Sequence, residues 1–179
     1  MNRGLLIFCA AVFSRTLMAA DQPVAKYYIG EAITTSENGV VKHPYIVTRT
    51  EDKAAAKITE YVVSYQTSAF QENTSEINID EKSHFTLKEA GAMTGSGDLT
   101  GTPWAWTFLR AILHFKSPNF EMTIDDFNFF AEPNTITAHK DFYRGDRIDS
   151  RNLLMQEDLV LYLSNKAAFE AKRDQLLKK

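Results

Sequence analysis

The centre of this sequence is the stretch Gly95-Ser96-Gly97-Asp98-Leu99-Thr100-Gly101-Thr102-Pro103-Trp104-Ala105-Trp106-Thr107-Phe108. It joins a glycine-rich segment to both tryptophans of the chain. The glycine-rich part is interpreted as a turn, and the part that follows as a β-strand. Because side chains two residues apart in a strand point to the same side, Trp104, Trp106 and Phe108 are expected to share one face. Such an aromatic wall either packs into a hydrophobic core or lines a ligand cavity.

Short strands and polar turns flank this stretch on both sides. Alternating apolar residues predict strands over residues 26–34 and 57–66, and the Asn-Gly pair at 38–39 is a strong hairpin signal. Strands and helices do not alternate, so a parallel sheet is not expected. The pattern predicts a mainly β fold: an antiparallel meander that is closed into a barrel or strongly curved. Ser164 or Asn165 then caps one C-terminal α-helix.

Some segments depart from the regular strand pattern. Residues 71–75 are polar and are expected to form a loop, and so is the glycine-rich segment 88–101. The apolar alternation of the strand 120–130 breaks at Asp125 and Asp126, which indicates a bulge or a sharp bend.

The N-terminus has the pattern of a secretory signal peptide. Arg3 precedes an apolar run over residues 5–13, and small residues follow up to Ala20. This run is shorter than the roughly 20 apolar residues that a membrane-spanning helix needs. We therefore expect residues 1–20 to be a signal peptide, residues 21–179 to form a single β-barrel-like domain, and no transmembrane segment to remain after cleavage. The alternative is a buried or anchoring N-terminal segment.

Charge and cysteine content narrow the compartment and the partners. The only cysteine, Cys9, lies in the predicted signal peptide, so the mature domain has no disulfide, which favours a bacterial periplasm over a small disulfide-rich extracellular domain. The expected localisation is periplasmic or secreted. Loss of two arginines with the signal peptide changes the formal charge from −3 to −5. This sign argues against nucleic acid and against an anionic membrane surface as partners.

No catalytic or metal-binding motif is present. The four histidines have no metal-ligand spacing, and without cysteine a structural zinc site is not expected. We therefore predict no cofactor, no metal site and no catalytic residue. His114 is the exception considered for ligand binding, since it falls in phase with the tryptophans if the strand stays regular.

The order of the elements resembles the calycin superfamily of lipocalin-like barrels. The lipocalin G-x-W motif has its nearest counterpart in Gly101-Thr102-Pro103-Trp104, which lies in mid-chain and has one residue more. The resemblance implies that a small hydrophobic molecule binds inside the barrel.

Three hypotheses for the function follow. The first is an exported, non-catalytic binding protein for a small apolar ligand, whose ligand-binding residues are Trp104, Trp106, Phe108, His114, Phe127 and Phe129. The second is an envelope or secreted protein-interaction domain with a solid core. The third is a barrel-cavity enzyme in which a lone histidine, His114 or His139, acts as a base.

Overall fold

The computed structural model describes residues 22–66, 68–89, 93–102, 104–130, 132 and 134–178. The predicted signal peptide, residues 1–20, lies outside the described residues. The described residues form ten β-strands, one 3-10 turn at Ser150–Asn152 and one α-helix. Their bounds are β1 (Val24–Ser36), β2 (Gly39–Asp52), β3 (Lys57–Gln66), β4 (Ala69–Ile79), β5 (His84–Glu89), β6 (Met93–Thr102), β7 (Ala105–Ser117), β8 (Phe120–Phe129), β9 (Thr135–Arg144), β10 (Leu153–Ser164) and α1 (Lys166–Leu177). Within this part of the chain, no helix has the length and apolar character needed to cross a membrane.

The strands form one closed antiparallel barrel. Each strand pairs with the next one in the sequence, and β10 returns to pair with β1, which places Tyr27 opposite Ser164. The helix α1 follows directly, and the Asn165 side chain caps it by accepting a hydrogen bond of 2.9 Å from the backbone N–H of Ala168. The predicted mainly β meander with a C-terminal helix is therefore confirmed, and the meander closes into an up-and-down barrel.

The barrel interior is packed by two apolar clusters. One cluster lies against strands β3 to β9 and contains Ile58, Ile77, Phe85, Leu99, Trp106, Leu109, Ala111, Leu113, Ile124 and Phe142. The other lies against β1, β2, β9 and β10 and contains Tyr28, Ala32, Tyr45, Val47, Ile136, Ala138, Leu159 and Leu161. These side chains come from alternating positions of the strands, as expected for a sheet with one buried face, except that Trp106 and Leu109 of β7 lie three positions apart.

The helix α1 covers part of the outside of the barrel. Its Phe169 is 3% exposed and packs with Ile46 and Val63, which point outward from β2 and β3. The ring of Tyr27 lies 5.5 Å from the ring of Phe169. The helix therefore hides an outer apolar patch that the barrel alone would leave in water.

Two segments that were expected to be loops are strands. Residues 71–75 belong to β4, and most of the glycine-rich segment belongs to β6. The absence of a side chain at Gly97 lets β7 and the Phe85 ring approach β6 closely. A Cβ on Gly97 would lie 2.0 Å from the carbonyl oxygen of Arg110 and 2.7 Å from Cζ of Phe85. Strand β6 ends at Thr102 and β7 begins at Ala105, so β6 extends closer to the tryptophans than predicted.

The bulge predicted at Asp125 and Asp126 is also wrong. Strand β8 pairs with β7 and β9 in unbroken register through both aspartates. Asp125 pairs with Arg110 on the outside, and Asp126 points inward to Lys140. The apolar alternation breaks because a charged residue occupies an inward position, and the strand itself stays regular.

Candidate functional site

A bulge in β7 divides the predicted aromatic wall. Gly101 pairs with Trp106 and Thr100 with Phe108, which leaves Thr107 as an extra residue on β7. The extra residue reverses the alternation, so that Trp106 and Leu109 both point into the barrel whereas Phe108 points out. The expectation that Trp104, Trp106 and Phe108 share one face is therefore wrong for Phe108.

The tryptophans line a cavity at the end of the barrel from which α1 leaves. This tryptophan cavity has a volume of about 140 Å³. Its lining is Lys26, Tyr28, Arg49, Glu51, Trp104, Ala105, Trp106, Phe130, Glu132, Thr135 and Ile136. It lies at the mouth of the barrel, because the residues lie near one end of their strands or in the connections between strands. The lining therefore combines charged side chains with aromatic ones.

Trp104 is held at this mouth in a strained conformation. Its φ is 64°, in the left-handed region that residues other than glycine rarely adopt. Such a residue costs about 1–3 kcal/mol and persists where its surroundings hold it in place. The indole of Trp104 packs against the first apolar cluster, with its ring centroid 6.4 Å from that of Trp106. The strain therefore places a second indole beside Trp106 at the cavity.

Arg49 is the buried cation of the cavity. It is 4% exposed, and its guanidinium carbon lies 4.9 Å from the ring centroid of Phe130. Its Nε lies 3.7 Å from Glu51 Oε1 and its Nη1 lies 3.6 Å from Glu60 Oε1. Both separations exceed ordinary hydrogen-bond length. Glu51 has its closer partner in Lys26, whose Nζ lies 3.0 Å from the same Oε1.

Among the described residues, two buried N–H groups of the cavity lining have no hydrogen-bond partner. They are the Nε of Arg49 and the indole Nε1 of Trp106, each with less than 1 Å² open to water and no hydrogen bond. A buried donor without a partner costs about 1–3 kcal/mol, so such groups are rare in folded proteins. Both groups belong to residues that line the tryptophan cavity, and this makes the cavity a candidate binding site.

The other predicted aromatic residues lie together on the outer surface. The rings of Phe127 and Phe129 are 6.4 Å and 5.0 Å from the ring of Phe108, and Phe129 is 45% exposed. Arg110 lies over Phe127 at 5.1 Å and pairs with Asp125 through two hydrogen bonds of 3.0 Å and 3.1 Å. We call Phe108, Phe127 and Phe129 the outer aromatic patch. A ligand inside the barrel is separated from this patch by the β-sheet.

The histidines singled out in the sequence also face outward. His114 is exposed and lies 3.3 Å from the hydroxyl of Thr123. His139 lies between Asp158, at 2.8 Å, and Asp141, at 3.2 Å. The hydrogen bond with Asp158 raises the pKa of His139 and Asp141 adds to this effect, against a smaller opposing effect of burial. Neither histidine is part of the tryptophan cavity.

His43 is the histidine with polar partners inside the barrel. It is 7% exposed, and its Nε2 lies 3.1 Å from Thr34 Oγ1 and 3.8 Å from Glu157 Oε2. Its inward position could have been predicted, because it follows from the alternation of Tyr45, Val47 and Arg49 on β2. The other nitrogen, Nδ1, lies 3.4 Å from the carbonyl oxygen of Pro44. These contacts satisfy the imidazole within the barrel wall.

A largely buried lysine points into the barrel from the middle of β9. Lys140 Nζ lies 3.8 Å from Asp126 Oδ2 and 5.6 Å from the ring centroid of Tyr45. Burial alone would lower the pKa of Lys140, but Asp126, Tyr45 and Glu157 together raise it, so the amine stays charged. Asn128 donates a hydrogen bond of 2.9 Å to Asp126 Oδ1. Lys140 is thus the centre of an internal ion-pair network and is a poor nucleophile.

A larger groove lies at the opposite end of the barrel. It has a volume of about 440 Å³ and runs between the β1–β2 hairpin and the start of β10. Its lining is Thr35, Ser36, Glu37, Arg144, Arg151, Asn152, Leu153, Leu154, Met155 and Gln156. This groove has more room than the tryptophan cavity, but its lining is mostly polar and exposed, and neither of the unpartnered donors is there.

Metal ligands do not cluster in the part of the chain that the structure describes. No group of three or more histidine, cysteine, aspartate or glutamate side chains is arranged there to hold a metal ion.

No protein-family model matches the chain, and no curated protein matches it. Among solved structures, it is similar to the S-type phycobiliprotein lyase CPES from Guillardia theta, at 8% sequence identity and a TM-score of 0.48. The match covers 78% of this chain and 88% of that chain. The functional reasoning that follows rests on this chain's own residues.

Proposed function

We propose that this chain is an exported, non-catalytic binding protein that takes a small ligand into the tryptophan cavity. The observation that carries the proposal is the pair of indoles, Trp104 and Trp106, at one barrel mouth beside a buried arginine. Apolar cavities with a few convergent polar groups are typical ligand sites. Export to the periplasm or the exterior is supported by the signal-peptide pattern of residues 1–20.

The volume of the cavity limits the ligand. A dry cavity of roughly 150 Å³ holds one benzene ring, whereas sites for drug-sized ligands span roughly 300–1,000 Å³. The tryptophan cavity, at about 140 Å³, therefore fits one ring. The ligand is a small aromatic compound, or a longer molecule that inserts one ring and leaves the rest at the mouth.

Tryptophan fluorescence tests this proposal directly. Both tryptophans of the chain line the cavity, so their emission reports on it. We expect toluene and small substituted benzenes to shift the emission and to raise the melting temperature. A ligand at a hundred times its dissociation constant adds about 2.7 kcal/mol of stability. Arg144→Gln, in the groove at the opposite end, is the matched control and should bind as the unchanged chain does. If no ring compound alters emission or melting, the proposal is wrong.

A protein-interaction domain is the second candidate. The observation in its favour is the outer aromatic patch, where Phe129 is 45% exposed although the interior is packed by two apolar clusters. Exposed apolar surface of this kind is common at interfaces. Sedimentation of the unchanged chain and of Phe129→Ser tests for self-association through the patch. Loss of association in the variant would support this candidate, and a monomer in both would count against a second copy as the partner.

A further inference from the structure

We propose that the ligand of the tryptophan cavity carries a neutral hydrogen-bond acceptor next to its ring, such as a carbonyl or amide oxygen. The acceptor receives the N–H groups of Trp106 Nε1 and Arg49 Nε. This inference rests on the proposed function, and it adds the chemical class of the ligand.

The two unpartnered donors call for an acceptor. Bulk water does not satisfy them, since each has less than 1 Å² of surface open to a water molecule. Both belong to residues that line the same cavity. A purely apolar ring would fill the cavity and leave both groups unpaired. A ring that carries an oxygen acceptor fills the same space and supplies the partner when the lining side chains move apart to admit the oxygen, since neither nitrogen is open to a water-sized group in the ligand-free chain.

The charges around the cavity favour a neutral acceptor over an anion. Arg49 faces Glu51 and Glu60 at 3.7 Å and 3.6 Å, and Lys26 is paired with Glu51 at 3.0 Å. Glu132 also lines the cavity. An entering carboxylate would thus meet two cations and three carboxylates among these residues, and would lose its hydration as well. A carbonyl oxygen accepts the same two hydrogen bonds without that repulsion.

The aromatic lining holds the ring that bears the acceptor. Trp104, Trp106, Tyr28 and Phe130 all contribute to the cavity wall. Offset or edge-to-face packing against such rings adds to the attraction that comes from burial alone. The ring supplies affinity, and the acceptor supplies selectivity, because a site with donors discriminates against analogues that cannot pair with them.

Three probes of one shape separate these contributions: toluene, benzamide and benzoate. Each is titrated against the full chain, with tryptophan fluorescence for affinity and the indole 1H–15N resonances for hydrogen bonding. We expect benzamide to bind about tenfold more tightly than toluene, and benzoate to bind more weakly than benzamide. The indole resonance of Trp106 should move downfield with benzamide and much less with toluene. The single variants Trp104→Phe and Trp106→Phe assign the two indole signals.

Variants of the two donors complete the test. Trp106→Phe keeps a ring but removes the N–H, and Trp104 remains as the reporter; it should remove most of the preference for benzamide while toluene affinity stays within about twofold. Arg49→Lys keeps the charge and removes Nε, and should act in the same direction. Arg144→Gln, in the groove at the opposite end, is the control, with its preference for benzamide retained.

The possible outcomes separate the two proposals. Equal affinity for toluene and benzamide, with no selective shift of the Trp106 indole signal, would overturn the acceptor and leave the binding function standing. Tightest binding of benzoate would show an anion site and would equally overturn the neutral class. Failure of all three probes would contradict the proposed function itself. The indole measurement uses the unchanged chain, and one folded variant, Trp104→Phe or Trp106→Phe, is enough to assign its two signals.

Discussion

Trp106 and Phe108 lie two positions apart on β7 but on opposite sides of the barrel wall, because Thr107 is an extra residue between them. Trp106 packs into the interior cluster, and Phe108 packs with Phe129 on the outside. One inserted residue thus divides an aromatic wall into a cavity lining and a surface patch. The division determines which aromatic substitutions are expected to affect ligand binding.

Substitutions on the two sides of the wall should differ in their effect on binding. Trp104→Ala removes an indole from the cavity and should weaken binding of benzamide by about tenfold or more. Phe129→Ser changes the outer aromatic patch and should leave benzamide affinity unchanged, with a stability change of about 0.5 kcal/mol or less. Isothermal titration of both variants measures this. Equal weakening by Phe129→Ser would place the ligand on the outer surface instead.

Gly97→Ala should destabilise the barrel. The added Cβ would lie 2.0 Å from the Arg110 carbonyl oxygen on β7 and 2.7 Å from Phe85 Cζ, so backbone and ring must both move. Overpacking of this kind costs about 1–3 kcal/mol. Urea unfolding measures the change, and Ser96→Ala, at the adjacent exposed position of β6, is the control. A loss no larger than that of Ser96→Ala would show that the two strands separate easily.

Lys140→Met should strongly reduce the free energy of unfolding. Removal of the amine leaves Asp126 in the barrel interior without its cation, and a buried charge that loses its partner costs about 3–5 kcal/mol. Adding Asp126→Asn to the same chain should restore part of the loss, because the uncompensated charge is then gone. Denaturant unfolding of the single and double variants forms the test. If the double variant loses as much free energy of unfolding as the two single variants added together, Lys140 and Asp126 are not coupled.

His139 should titrate above its ordinary pKa of 6.5, since its hydrogen bond to Asp158 and the nearby Asp141 favour the charged imidazole. A folded-state pKa above the unfolded value stabilises the fold fully below pH 6.5, and this contribution is lost as the pH rises through the folded-state pKa. NMR titration of the imidazole carbons measures the value. Asp158→Asn should lower it and reduce the pH dependence of stability, whereas an unchanged midpoint in the variant would assign the shift elsewhere.

The architecture could be predicted from local patterns because almost every strand of the barrel pairs with the strand that follows it in the sequence. Alternation on each strand and the Asn-Gly hairpin define antiparallel neighbours, and the strand predicted over residues 57–66 has the observed bounds of β3. The Asn165 cap likewise depends only on nearby residues. Closure depends on the β1–β10 pairing, which has no local signal; the prediction allowed a closed or a strongly curved meander, and the structure shows the closed one.

The candidate site was only partly predictable, because it depends on single-residue offsets. Trp104 and Trp106 were identified, but the bulge at Thr107 arises from pairing with β6 and has no local signal. Binding by the six predicted residues stays a prediction, with the four beyond the tryptophans now on the outside. Arg49 was missed although its position was informative, since it continues the inward series of Tyr45 and Val47. A charged residue in phase with buried apolar ones indicates a polar group inside the barrel.

The seam between β1 and β10 also has a consequence for how the protein is made. Each of the other pairings joins strands that follow one another in the sequence, whereas this one joins Tyr27 to Ser164. During synthesis from the N-terminus, the edge of β1 stays unpaired until the last strand is complete, and open edges invite association between chains. Closure is also the contact with the largest sequence separation, which slows folding. Folding of the barrel is therefore tied to completion of β10, and the interval before it is when the nascent chain most needs protection from aggregation.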